Sequence, residues 1–150
     1  MIRNPRLREL LGKRSILKGE GLFREAIPLQ LEIIELLQEE DANRCRLALA
    51  HNMASVLYLR SKLYSSAEWH GRQALALHFD DSVKGHQTRG SLNRNMAQIL
   101  ACGFEFEEAA RFGQIAIEEY SYWHNSTDEF LIALIHEVES MKNRTWAAPE

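Results

Sequence analysis

The chain has little that would staple or break it. Two cysteines, Cys45 and Cys102, cannot build a disulfide framework and have no metal-ligand spacing. They are expected as reduced thiols, which points to a cytoplasmic protein. Three prolines and eight glycines in 150 residues leave long stretches without a helix breaker. No apolar run approaches the roughly 20 residues that span a bilayer. The opening MIRNPRLREL lacks the apolar core of a signal peptide, so no membrane partner is expected. The triplets beginning at Asn125 and Asn143 fit a glycosylation sequon but carry no weight without a secretion signal. Strict apolar–polar alternation is also missing, which argues against strands.

Charge of one sign is not in excess. The formal net charge is −3, which gives no reason to expect nucleic acid as a partner. One local imbalance stands out: Arg3, Arg6, Arg8, Lys13, Arg14 and Lys18 face a single acid, Glu9, in the first segment. Glu32, Glu35, Glu39, Glu40 and Asp41 follow, so neighbouring helices are expected to neutralise one another.

Signatures of chemistry are lacking as well. The six histidines, His51, His70, His78, His86, His124 and His136, form no recognised ligand pair. His70 and His78 lie about 80° apart around a helix, poorly placed for one metal. There is no phosphate-cradling glycine loop, nucleophile elbow or dinucleotide fingerprint. The expectation is a non-enzyme with no metal and no cofactor.

What the chain does have is helical periodicity and a repeated phrase. The octets AHNMASVL, from Ala50, and NRNMAQIL, from Asn93, share an Asn-Met-Ala core. Around the first, Leu49, Ala50, Met53, Ala54, Val56 and Leu57 fall on one arc, and His51, Asn52, Ser55 and Tyr58 on the other. Helices are expected near 5–18, 22–39, 42–60, 65–78, 84–102, 105–122 and 127–142. Asp41 is the expected cap before the third, and Ser65 with Glu68 and Ser126 with Glu129 have capping-box spacing. Gly19 and Gly103 are expected as helix stops. Short links favour antiparallel neighbours.

An aromatic followed three residues later by alanine recurs as Phe23…Ala26, Tyr64…Ala67 and Phe106…Ala109. The last two copies extend to Ala67-x3-Gly71-x2-Ala74 and Ala109-x3-Gly113-x2-Ala116. Spacings of four and three put these small residues on one helix face, where another backbone can approach. Repetition in the same order at a near-constant period indicates repeated helical hairpins.

These residues resemble the tetratricopeptide repeat over about 5–122, in the long-period variety of kinesin light chains and bacterial Rap-type regulators. Departures are Arg14 where a small residue is expected, Gly71 and Gly113 where a bulky one is usual, and Pro28 in the first turns of the second helix. The resemblance implies a single all-α domain over 1–150. It would be a right-handed superhelix of three hairpins, about 5–40, 41–81 and 82–123, closed by a capping helix at 127–142.

The resemblance also implies a concave groove lined by the first helix of each pair. The arc opposite the packing face would contribute His51, Asn52, Ser55 and Tyr58, then Arg94, Asn95 and Gln98. An amide can grip the backbone of a bound peptide whatever its side chains, and Arg94 would add a carboxylate-seeking fork. Arg46 and Arg89, on the packing arc, read as helix-start salt bridges. The clamp of chaperone-binding members is matched only at Asn52, with Leu11, Ser15, Ser91 and Asn95 in the other places, so a chaperone-tail receptor is not implied. Tyr120, Tyr122 and Trp123 are expected to pack under the last helix. The expected function is a non-catalytic scaffold or adaptor that binds a peptide of a protein partner. The alternatives are a homo-oligomeric assembly protein and a sensor module that binds a signalling peptide.

Overall fold

The computed structural model describes residues 4–41, 43–77, 82–125 and 127–148. Among these residues there are seven α-helices and no strand. Contacts group them into two compact units divided after Leu77. The first contains α1 (Pro5–Gly19), α2 (Phe23–Glu39), α3 (Arg44–Arg60) and α4 (Tyr64–Leu75). The second contains α5 (Val83–Cys102), α6 (Phe106–Tyr120) and α7 (Glu129–Lys142). Within each unit every helix packs on its sequence neighbour. No helix of the described residues is long and apolar enough to cross a membrane.

Three hairpin turns are the same turn. α1–α2, α3–α4 and α5–α6 are joined at Gly21, Lys62 and Phe104, whose φ values are 77°, 60° and 62°. In each turn the following residue closes a long backbone bond of 2.9 Å: Leu22 to Leu17, Leu63 to Tyr58, Glu105 to Leu100. A left-handed residue with that bond satisfies the carbonyls left over at a helix end. Each turn then delivers the same alanine: Ala26, Ala67 and Ala109 are all fully buried. The aromatic-x2-Ala pattern in the sequence thus marks one local geometry used three times.

Helix ends correct several expectations. Asp41 does not cap α3. It takes a left-handed φ of 50°, and the cap falls two residues later, where Asn43 Oδ1 accepts from the Arg46 amide at 2.8 Å. Nor does Ser65 cap α4, which starts after Leu63 with no side-chain cap. Ser126 lies outside the described residues, and Asp128 caps α7 by accepting from the Phe130 amide at 2.9 Å. Gly19 and Gly103 sit at helix ends with the left-handed position beyond them, at Gly21 and Phe104. Pro28 lies inside α2, which continues through it.

In the first unit the core joins Leu7 and Leu10 of α1, Ile33, Ile34 and Leu37 of α2, and Ala50 and Ala54 of α3. The expected neutralisation of the basic first helix is met in part, at Arg6 and Lys13, while Arg14 has no acid partner among the described residues. Arg6 Nε and Nη2 grip the two Glu32 carboxylate oxygens at 2.9 and 3.0 Å, while Glu9 takes Arg6 and Lys13. In the second unit Ala116, Tyr120, Leu131, Leu134 and Val138 form the core, with Trp123 packed against it. Tyr122 is an exception to the expected aromatic packing: it is exposed, and its ring stacks on His86 at 3.7 Å.

Candidate functional site

The residues expected along one groove arc of α3 separate. α3 is packed on two sides, so it has two buried stripes. Ala50 and Ala54 join the core with α1 and α2, and Leu57 joins Ala26 and Ile27. His51 and Ser55 turn toward α4, and both are buried. Ser55 Oγ donates to the Ala67 carbonyl at 2.7 Å. His51 Nδ1 lies 3.0 Å from His70 Nδ1, and Tyr58 stacks on the His70 ring at 5.4 Å. Burial, then the neighbouring His51, push the His70 ring down to about 4, and burial lowers His51 as well. The two rings are therefore neutral near pH 7, one donating to the other. Leu49, assigned to the packing arc, is instead 41% exposed. Sequence periodicity misjudged this helix because its small residues let both neighbours approach, and polar His51 and Ser55 find partners inside.

In α5, Asn95 is buried. Arg94 and Gln98 converge on α7: Arg94 Nε and Nη2 donate to Glu137 Oε2 at 3.2 Å, and Gln98 Nε2 donates to Glu137 Oε1 at 2.7 Å. The Arg94 guanidinium also lies over the Phe130 ring at 5.5 Å. Nearby, Arg89 Nε donates to Glu119 Oε1 at 3.0 Å, the kind of salt bridge expected of it. Arg46 makes none among the described residues and lines the cleft described next.

A cleft of about 580 Å³ opens in the first unit between α1 and α3, with α2 at its floor. Leu7, Leu11, Ile33 and Leu37 supply apolar wall, and Leu49 and Met53 face them from α3. Asn52 is the one of the four α3 groove candidates that lines it. Arg14, Gln30 and Arg46 complete its polar part, and no carboxylate of the described residues lines it.

Arg14 and Gln30 form a relay across three helices. Gln30 is fully buried, and its Nε2 donates to the Ala50 carbonyl at 2.8 Å. That contact turns Oε1 toward α1, where Arg14 Nη1 donates to it at 2.9 Å. Arg14 Nε is buried without any acceptor, and desolvation alone lowers the Arg14 pKa. A guanidinium held this way carries a positive charge stripped of part of its water and not repaid by an anion.

Two of these residues were hidden in the sequence to different degrees. Arg14 was visible as the misfit at a position expected to be small. Gln30 carried one weak signal, a lone amide amid the Leu and Ile of α2. The chain matches no family model and no curated protein.

Proposed function

We propose that the chain is a non-catalytic interaction module of the tetratricopeptide kind, a scaffold or adaptor that holds a peptide segment of a partner protein. The observation that carries this reading is the open cleft of the first unit, with apolar walls and a few convergent polar groups. Its size is that of sites that take a few side chains at once. The recurrence of one hairpin turn at Gly21, Lys62 and Phe104 supports the repeat assignment. Asn52 sits on the cleft wall beside exposed Leu49, where a peptide backbone would pass it while Leu49, Met53 and Leu11 take apolar side chains.

The peptide contacts narrow to that cleft. His51, Ser55 and Tyr58 serve the α3–α4 joint, and Arg94 and Gln98 serve α7 through Glu137. Asn95, buried in α5, is a support of its own helix packing in this reading.

The test is a peptide array probed with the full chain, followed by Leu49→Trp and Asn52→Ala. Leu49→Trp fills the cleft mouth from an exposed position and is expected to weaken selected peptides about tenfold or more. Ile115→Trp, on the exposed face of α6, leaves binding unchanged. Wild-type affinity in both cleft variants, with helicity intact by circular dichroism, contradicts the proposal.

A further inference from the structure

We infer that Arg14 is the anchor of a carboxylate-binding subsite, and that the cleft takes a peptide bearing an acidic side chain among aliphatic residues. This deepens the peptide-binding reading and rests on it.

The inference starts from an imbalance of charge. Among the described residues Arg14 has one side-chain hydrogen bond, from Nη1 to a neutral amide. Its Nε is shut from solvent with no acceptor. The acids that could have served it are committed elsewhere: Glu9 to Arg6 and Lys13, and Glu32 to Arg6. Arg46 brings a second cation to the same cleft, whose lining contains no acid among the described residues. An unpaired, partly desolvated guanidinium costs stability that a simple apolar side chain would not, so the folded chain alone gains nothing from it. A bound anion would return that cost as affinity.

The geometry selects the kind of anion. With Nη1 taken by Gln30 Oε1, the edge bearing Nε and Nη2 is left without an acceptor. Nε is the buried member of that edge, which leaves Nη2 as the donor that a carboxylate oxygen meets in the cleft. Gln30 is a positioning residue: fixed by the Ala50 carbonyl, it holds the guanidinium so that this edge is the one unsatisfied. The walls on either side, Leu7, Leu11, Leu49 and Met53, call for aliphatic neighbours in the occupant. Charge complementarity and apolar walls together specify a short acidic–aliphatic stretch of a partner chain.

The test uses the full chain and three sets of individually synthesised, N-acetylated peptides of Leu, Val, Ala and Ser residues. The first set has a central Glu or Asp and an amidated C-terminus, and the second carries the matching Gln or Asn. The third has the amide centre with a free terminal carboxylate. Fluorescence anisotropy is expected to show the best acid-centred peptides binding about tenfold or more tighter than their amide counterparts. Arg14→Met, of similar length and without charge, keeps its helicity and removes the difference, leaving both sets at the amide level. Equal binding of acid and amide peptides by the wild-type chain overturns the inference and spares the peptide-binding reading. So does an acid preference that persists in Arg14→Met, or one that follows the free terminus alone. Failure of every set to bind contradicts the inference and the reading beneath it.

Discussion

Gly113 of α6 and Val138 of α7 pack so closely that a Cβ added to the glycine would stand 2.5 Å from Val138 Cγ2. The small residues Gly113 and Ala116 therefore seat α7. Gly113→Ala is expected to cost about 1–3 kcal/mol from overpacking, read as a lower urea midpoint at constant m-value. Val138→Ala combined with it should recover part of that loss, because the clash is with the removed methyl group. Additive destabilisation in the double variant would contradict the contact.

The His51–His70 pair makes stability depend on acid. His70 is held at about 4 in the folded chain, against about 6.5 unfolded. Between those values the unfolded state binds the extra proton, so stability is full above about pH 6.5 and falls as pH drops toward 4. His70→Phe keeps a ring for Tyr58 to stack on and removes the titration. It is expected to reduce the acid-side loss in that window by on the order of 1–2 kcal/mol, measured by urea unfolding at pH 7, 5.5 and 4.5. An unchanged pH profile would show that the pair is not held neutral.

The repeated turn can be tested where it uses an unfavourable residue. Lys62 adopts φ 60°, a conformation glycine takes without the cost of a Cβ. Lys62→Gly is expected to stabilise the chain by about 0.5–1 kcal/mol, while Gly21→Val, at φ 77°, destabilises it by about 1 kcal/mol or more. A loss of stability in Lys62→Gly contradicts the left-handed turn.

Glu137 is the shared acceptor of Arg94 and Gln98. Glu137→Gln leaves a half-exposed arginine without its carboxylate and is expected to cost no more than about 1 kcal/mol. Peptide affinity at the cleft of the first unit is unchanged by it. A loss of peptide binding in this variant, with stability intact, would move the binding surface to α5.

The helices were legible because each carries its own period and its own end signals. Their expected limits fall within a few residues of the observed ones. The repeat was legible because the aromatic, the turn and the buried alanine recur at fixed distances. Partnering was not legible. α3 reads as a helix with one apolar arc, yet its alanines allow a second close neighbour, so His51 and Ser55 go inward against α4. Asp41 has the chemistry of a cap, but the backbone turns left-handed there and passes the role to Asn43. Arg14 stands out in the sequence only as a bulky residue at a position expected to be small, and its partner Gln30, sixteen positions on and fixed by Ala50, hardly stands out at all. Only the packing of three helices shows that this charge has no anion among the described residues.

The most direct measurement is a two-dimensional amide and methyl spectrum of the isotope-labelled full chain, titrated with a selected acidic–aliphatic peptide. The account predicts that the largest shifts fall on Leu11, Arg14, Leu49, Asn52 and Met53, with the Arg14 Nε resonance moving among them. Shifts confined to α4, α6 or α7, or a silent Arg14 in a spectrum that otherwise responds, would contradict it.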